Sequence, residues 1–161
     1  MKKITQLTIS FILLISINAC TGYKPIFKTS NLQFKISDYS IKGDKRLGKQ
    51  IYTKLYNFSQ SNKNNTAAKN INISIEVLKD KTVKVKNSAG IILEYKISLN
   101  TNIEIKDYFT NNQILNHNFN YSSSYKTQDQ FSDSLRLENK TIENLLDKTY
   151  QNLLIEMTVA Q

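Results

Sequence analysis

Tryptophan is absent from the 161 residues; cysteine, proline and histidine occur once each, and glycine four times. A lone thiol closes no internal disulfide, and so few glycines and prolines exclude collagenous, proline-rich and Gly/Ser-linker architectures. Without tryptophan the chain offers no indole on which a saccharide ring would stack, which counts against a cell-wall binder. Acidic residues are scarce too, 13 against 22 Lys plus Arg, for a formal charge of +9. Against these deficits stand 40% apolar and 10% aromatic residues. That is too apolar for disorder and, at this length, is the material of one globular domain.

The single cysteine has a telling position. Lys2 and Lys3 form a positive start, Leu7 to Ile17 an apolar run of eleven residues, and Ile17-Asn18-Ala19-Cys20 a cleavage site of short side chains. The run is too short to cross a bilayer, which takes about 20 residues. A cysteine directly after such a run is the arrangement of a bacterial lipobox, with an ordinary secretory signal beside a free cysteine as the alternative. The expected organisation is therefore a signal peptide over 1–19, an acylated linker over 20–31 and a single domain over 32–161. Two or three acyl chains on Cys20, at about 0.8 kcal/mol per buried methylene, would anchor the domain to a membrane. Thr21 stands where an inner-membrane retention signal would need Asp, so outer-membrane sorting, facing the periplasm, is expected by analogy with known lipoproteins. Loss of Lys2 and Lys3 with the leader lowers the charge to +7. The acidic partners of an exported basic protein are phospholipid, lipopolysaccharide or cell-wall polymer; nucleic acid is not expected in that compartment.

Along the mature chain the periodicity is clear. Leu32, Phe34 and Ile36 alternate with polar residues, the period of a half-buried strand that ends near Gly43-Asp44. Asp44 is an N-cap candidate for a helix of about four turns in which Leu47, Ile51, Leu55 and Phe58 recur. Gly48 inside it costs up to about 1 kcal/mol against alanine. Ser59 to Asn65 is polar and aperiodic, a loop. Ile71, Ile73, Ile75 and Val77 then share a parity that continues through Lys79, Lys81, Val83 and Val85, one long strand whose middle sets lysines on an otherwise apolar face. Asn87 to Gly90 supplies a turn, and Tyr95, Ile97, Leu99, Thr101, Ile103 and Ile105 alternate back, a long hairpin expected at the centre of the sheet. After a turn at Asp107 to Asn112, residues Leu115, His117, Phe119, Tyr121, Ser123 and Tyr125 form a fourth, more polar strand. A helix of about 24 residues from Ser132 or Asp133 carries the stripe Leu135, Ile142, Leu145, Leu146, Leu153, Leu154 and Met157. This order predicts an α+β fold: a two-layer sandwich of a four-stranded, mostly antiparallel sheet with two helices packed on one face.

Catalytic chemistry finds little to work with. A hydrolase or transferase needs a nucleophile with its base, paired carboxylates or metal ligands. His117 is the only histidine, and an acylated Cys20 leaves no thiol, so Cys/His dyads and metal clusters fail. His117 on an alternating strand reads as a packing residue. Asp129, Asp133, Glu138, Glu143 and Asp147 read as the solvated face and N-terminal charge of the last helix. No phosphate-binding glycine motif or zinc-peptidase motif occurs. The expectation is a non-enzyme without cofactor or metal.

One segment stands out, Lys79-Asp80-Lys81-Thr82-Val83-Lys84-Val85-Lys86. Lys79, Lys81, Lys84 and Lys86 are candidates for charge-assisted hydrogen bonds to the phosphates of an anionic glycolipid. Equally, lysines along an exposed strand block edge-to-edge pairing. Tyr121, Tyr125 and Lys126 would extend such a surface.

With the lipobox, the run Gly22-Tyr23-Lys24-Pro25-Ile26-Phe27 and the element order, the chain resembles the LPS-assembly lipoprotein family, LptE (RlpB). Its members begin after the acylated cysteine with G-[FY]-x-P-[LI]-[YF], matched at Gly22, Tyr23, Pro25, Ile26 and Phe27. Arg46, Gln50 and Leu55, and Gly90 followed by Glu94-Tyr95, are further local likenesses. The resemblance implies an outer-membrane lipoprotein that plugs the LptD β-barrel, assists its assembly and binds lipopolysaccharide during insertion into the outer leaflet. No lipopolysaccharide contact carries over by identity, so the four lysines rest on charge and position. Pro25 fixes its own φ and holds Lys24 extended, a stiff lead from anchor to domain or a plain linker. The competing reading is an auxiliary lipoprotein of a lipid-transporting ABC system, which differs in its partner.

Overall fold

The computed structural model describes residues 32–61 and 68–160. The leader, Cys20 and the Gly22–Phe27 run lie outside the described residues. Four strands and two helices follow in the order β1 (Phe34–Gly43), α1 (Lys45–Ser61), β2 (Lys69–Lys86), β3 (Ile92–Asp107), β4 (Gln113–Lys126) and α2 (Phe131–Val159). The sheet order is β1-β2-β3-β4, with β1 parallel to β2 and the other pairs antiparallel. The α+β architecture expected from the periodicity is the one found, and the β2–β3 hairpin occupies its centre.

Apolar side chains on one sheet face meet the two helices. Ile71, Ile73, Ile75 and Val77 of β2 and Ile97, Leu99, Ile103 and Ile105 of β3 are buried against Leu47, Ile51 and Leu55 of α1 and Ile142, Leu146 and Leu153 of α2. Each such side chain removed from water contributes about 1.5–3 kcal/mol. Helix α1 lies on β1 and β2, and α2 on β3 and β4. The opposite face carries polar residues in register, Ser98 beside Ser122, Asn100 beside Asn120 and Asn102 beside Asn118.

Three details depart from the periodic reading. First, the pairing of β1 with β2 shifts between Ile36 and Asp38, so Ser37 is an extra residue and the alternation changes parity. Beyond this bulge Tyr39 and Ile41, paired with Ile73 and Ile75, share the helix-covered face; Tyr39 stacks on Tyr52 of α1 at 4.0 Å. Second, α1 runs to Ser61, so Ser59 to Ser61 are helical and not loop. The buried Ser59 donates its hydroxyl to the Tyr56 carbonyl at 2.8 Å, a local bond compatible with the final turn. Third, α2 has 29 residues where about 24 were expected. It begins at Phe131, one or two residues before the expected Ser132 or Asp133, and gains most of its extra length at the other end, where Met157 packs in the core and holds the last turn in place.

Candidate functional site

Strand β1 ends where the chain must turn sharply. Gly43 has φ +69°, and a β-carbon there would run into the Val77 carbonyl oxygen; the Asp44 amide donates to that same oxygen at 2.7 Å. Asp44 then caps α1, its carboxylate accepting the Leu47 amide at 3.1 Å. Because β1 stops at Val77, the rest of β2, Leu78 to Lys86, is paired only with β3 and is exposed. The lysine segment is therefore both a surface and a free strand edge.

The four lysines do not act alike. Lys79 and Lys81 keep the parity of Val77 and lie on the helix side of the sheet. Lys81 is spoken for: its Nζ donates to Glu138 Oε2 of α2 at 2.5 Å and stands 4.3 Å from the centre of the Tyr95 ring and 5.7 Å from that of Tyr125. Tyr125 donates its hydroxyl to the same carboxylate oxygen at 2.8 Å. Lys84 falls in a stretch where the register with β3 shifts, between Val83 and Val85, and bonds Glu94 Oε1 at 2.7 Å. Lys79 and Lys86 make no ion pair among the described residues. Two cations face solvent unpaired, and two are internally neutralised.

Charges and burial oppose one another in this cluster. Burial works to lower the Lys81 pKa, but hydrogen bonds and charge from Glu138 and Tyr125 outweigh it and raise the value. Burial likewise works to raise Glu138, and the combined hydrogen bonds from Lys81 and Tyr125 with the charge of Lys81 hold it below the ordinary range. Burial, with the Glu138 carboxylate, raises Tyr125. Next to the cluster a recess of about 350 Å³ is lined by Tyr95, Tyr125, Lys81, Glu138, Leu135 and Phe131. Phe131 is 81% exposed and Leu135 45%. Two aromatic rings, an ion-paired cation and the exposed apolar side chains of Phe131 and Leu135 thus line the recess, a mixture suited to an amphiphile.

Glu138 is the residue that sequence reasoning misplaced. The spacing of acidic residues places it on a solvated helix face, yet its side chain is 15% exposed and bound twice. The signal was present: position 138 lies three residues after Leu135 and four before Ile142, on the apolar stripe itself. Asp147, assigned to the same solvated face, pairs with Lys54 of α1. His117 packs on Phe119 at 4.5 Å between ring centres, with Nδ1 4.0 Å from Glu156 Oε2. Lys148 stands over the Tyr121 ring at 4.5 Å, and Asn152 donates to the Tyr121 hydroxyl. Among the described residues no three His, Cys, Asp or Glu side chains gather as a metal site, and no helix is long and apolar enough to cross a membrane.

The fold is shared with known structures. It is similar to uncharacterized lipoprotein B from Nitrosomonas europaea, solved by NMR, with a TM-score of 0.56 at 15% identity over 83% of this chain and 88% of that one. It is also similar to the rare lipoprotein B from Shewanella oneidensis, with a TM-score of 0.53 at 12% identity over 76% of this chain and 94% of that one. At such identities the likeness is one of fold. No family model matches the sequence, and no curated protein matches it significantly.

Proposed function

We propose that the chain is an outer-membrane lipoprotein of the LptE type. It is tethered through acyl chains on Cys20, partners an LptD-type β-barrel as its plug, assists barrel assembly and lipopolysaccharide insertion, and binds lipopolysaccharide without catalysing a reaction. The observation that carries this reading is a conjunction: a fold similar to rare lipoprotein B in a chain whose only cysteine directly follows a signal-like apolar run. The Asn- and Ser-rich sheet face, uncovered among the described residues, is the kind of surface that suits a wet barrel lumen. The unpaired Lys79 and Lys86 are the better candidates for glycolipid phosphate, and the recess beside Lys81 for its apolar part.

The test is affinity capture of tagged, full-length protein from detergent-solubilised outer membranes of its own cells, with co-purifying chains identified by mass. A large β-barrel in stoichiometric yield is expected. Recovery of an inner-membrane transporter instead would favour an auxiliary lipoprotein of a lipid-transporting ABC system, and recovery of neither would overturn the barrel-partner reading.

A further inference from the structure

Among the described residues the sheet presents three free edges, and they are unequally defended. Strand β1 carries a bulge at Ser37 with Lys35, Asp38 and Lys42 along it. The unpaired stretch of β2 carries Lys79, Asp80, Lys81, Lys84 and Lys86 with two register shifts. Charges and bulges are the devices that keep edges from pairing with other chains. Strand β4, irregular only at Ile114 and charged only at its final Lys126, has neither between Leu115 and Tyr125. From Gln113 to Tyr125 it holds no Lys, Arg, Asp, Glu or Pro, and from Leu115 to Lys126 it follows β3 without a shift. Among the described residues no strand lies beyond it.

We propose that this edge pairs with β4 of a second copy of the chain, joining two sheets into one of eight strands. The two-fold axis stands perpendicular to the sheet at Phe119, and the inference is independent of the barrel partner. For both helix layers to stay on one side, paired residues must share parity. A two-fold axis makes the contact self-complementary, residue i against j and j against i. Charge selects the register. Lys148 of α2 sits over Tyr121, and Glu156 sits beside His117. Pairing His117 with Tyr121 of the second copy brings Lys148 of each chain beside Glu156 of the other, twice over. On the polar face the same register sets Asn118 against Asn120 of the second copy, continuing the pairs that β3 and β4 already make, Asn102 with Asn118 and Asn100 with Asn120.

The helices have room. Helix α2 packs on both β3 and β4, and an axis about half a strand spacing inside the β4 edge would satisfy both contacts. Two such helices across the axis then stand about two strand spacings apart, roughly 10 Å, which is the distance at which helices pack.

The experiment uses purified full-length lipoprotein in detergent, free of any barrel. Sedimentation equilibrium is expected to show a monomer–dimer equilibrium. The double variant Asn118→Cys/Asn120→Cys is expected to form a covalent dimer on mild oxidation, whereas wild type with Cys20 alone does not. Both positions are exposed, so the fold tolerates them. Lys148→Glu is expected to weaken dimerisation roughly five- to tenfold, by exchanging two attractive pairs for two repulsive ones, and Lys148→Glu/Glu156→Lys is expected to restore it. A protein that sediments as monomer and gives no oxidised dimer overturns the proposal. So does a dimer indifferent to Lys148→Glu.

Discussion

Thr101 lies on the helix side of β3, between Val77 of β2 and Phe119 of β4, fully buried and with its hydroxyl unpartnered. A buried hydroxyl without a hydrogen bond costs about 1–3 kcal/mol, and valine has nearly the same shape without the polar atom. Thr101→Val is expected to stabilise the fold by about 1 kcal/mol, read as a higher urea midpoint at unchanged slope. Gly48 tells the opposite story to its helix propensity. A β-carbon there would come within 2.5 Å of the Ile41 Cγ2 methyl on β1, so the glycine is what lets α1 settle on the edge strand. Gly48→Ala gains up to about 1 kcal/mol in the helix and loses about 1–3 kcal/mol to overpacking. The expected net result is a lower melting temperature; an unchanged or higher one would show that Ile41 moves aside without cost.

Between elements, the clasp of Lys81, Tyr125 and Glu138 joins β2 and β4 to the first half of α2. Glu138 is held below its ordinary pKa in the folded chain, so its contribution is complete above the unfolded value, about 4.3, and is lost as pH falls through the folded one. Lys81 is raised, so its contribution is complete below about 10.4 and is lost as pH rises through the folded value. Across the neutral range both are present. Glu138→Gln is expected to lower stability near pH 7 and to flatten the decline as pH falls below about 4.3, measured by urea titration at each pH. The lysines themselves divide by partner. Lys79→Ser/Lys86→Ser is expected to weaken binding to lipopolysaccharide vesicles, most at low salt, while leaving the fold intact. Lys84→Ser, which removes a cation already bonded to Glu94, is expected to change binding little. Equal loss from both would mean that bulk charge alone governs binding.

For the whole molecule, the proposed function makes attachment and folding separable. The described domain has its own core, and in the proposed reading the membrane contact is made by acyl chains on Cys20, outside the described residues. Cys20→Ser is expected to move the protein from the membrane pellet to the soluble fraction with its far-ultraviolet dichroism unchanged. Retention in the pellet would overturn the lipobox reading. The Asn- and Ser-rich face and the β4 edge between Leu115 and Tyr125, both uncovered among the described residues, are also properties at this scale. Both need a wet or protein-lined environment and neither needs lipid.

Most of the architecture was legible along the chain because its signals are local. Period two in Ile71 to Val77 and in Tyr95 to Ile105 marks strands, the Leu47–Ile51–Leu55 spacing marks a helix, and Asn87 to Gly90 marks the turn between two long arms. What the tertiary structure decided depends on residues far apart in sequence meeting in one register. The bulge at Ser37, which brings Tyr39 and Ile41 to the helix-covered face, exists only relative to Ile71 and Asn72 of β2. The need for Gly48 exists only relative to Ile41. The neutralisation of Lys81 by Glu138 spans 57 residues, and the open edges at Leu78 and along β4 follow from where β1 stops and which strand comes last. Periodicity determines which face of an element is apolar; only the packed register determines what that face, and each charge upon it, will touch.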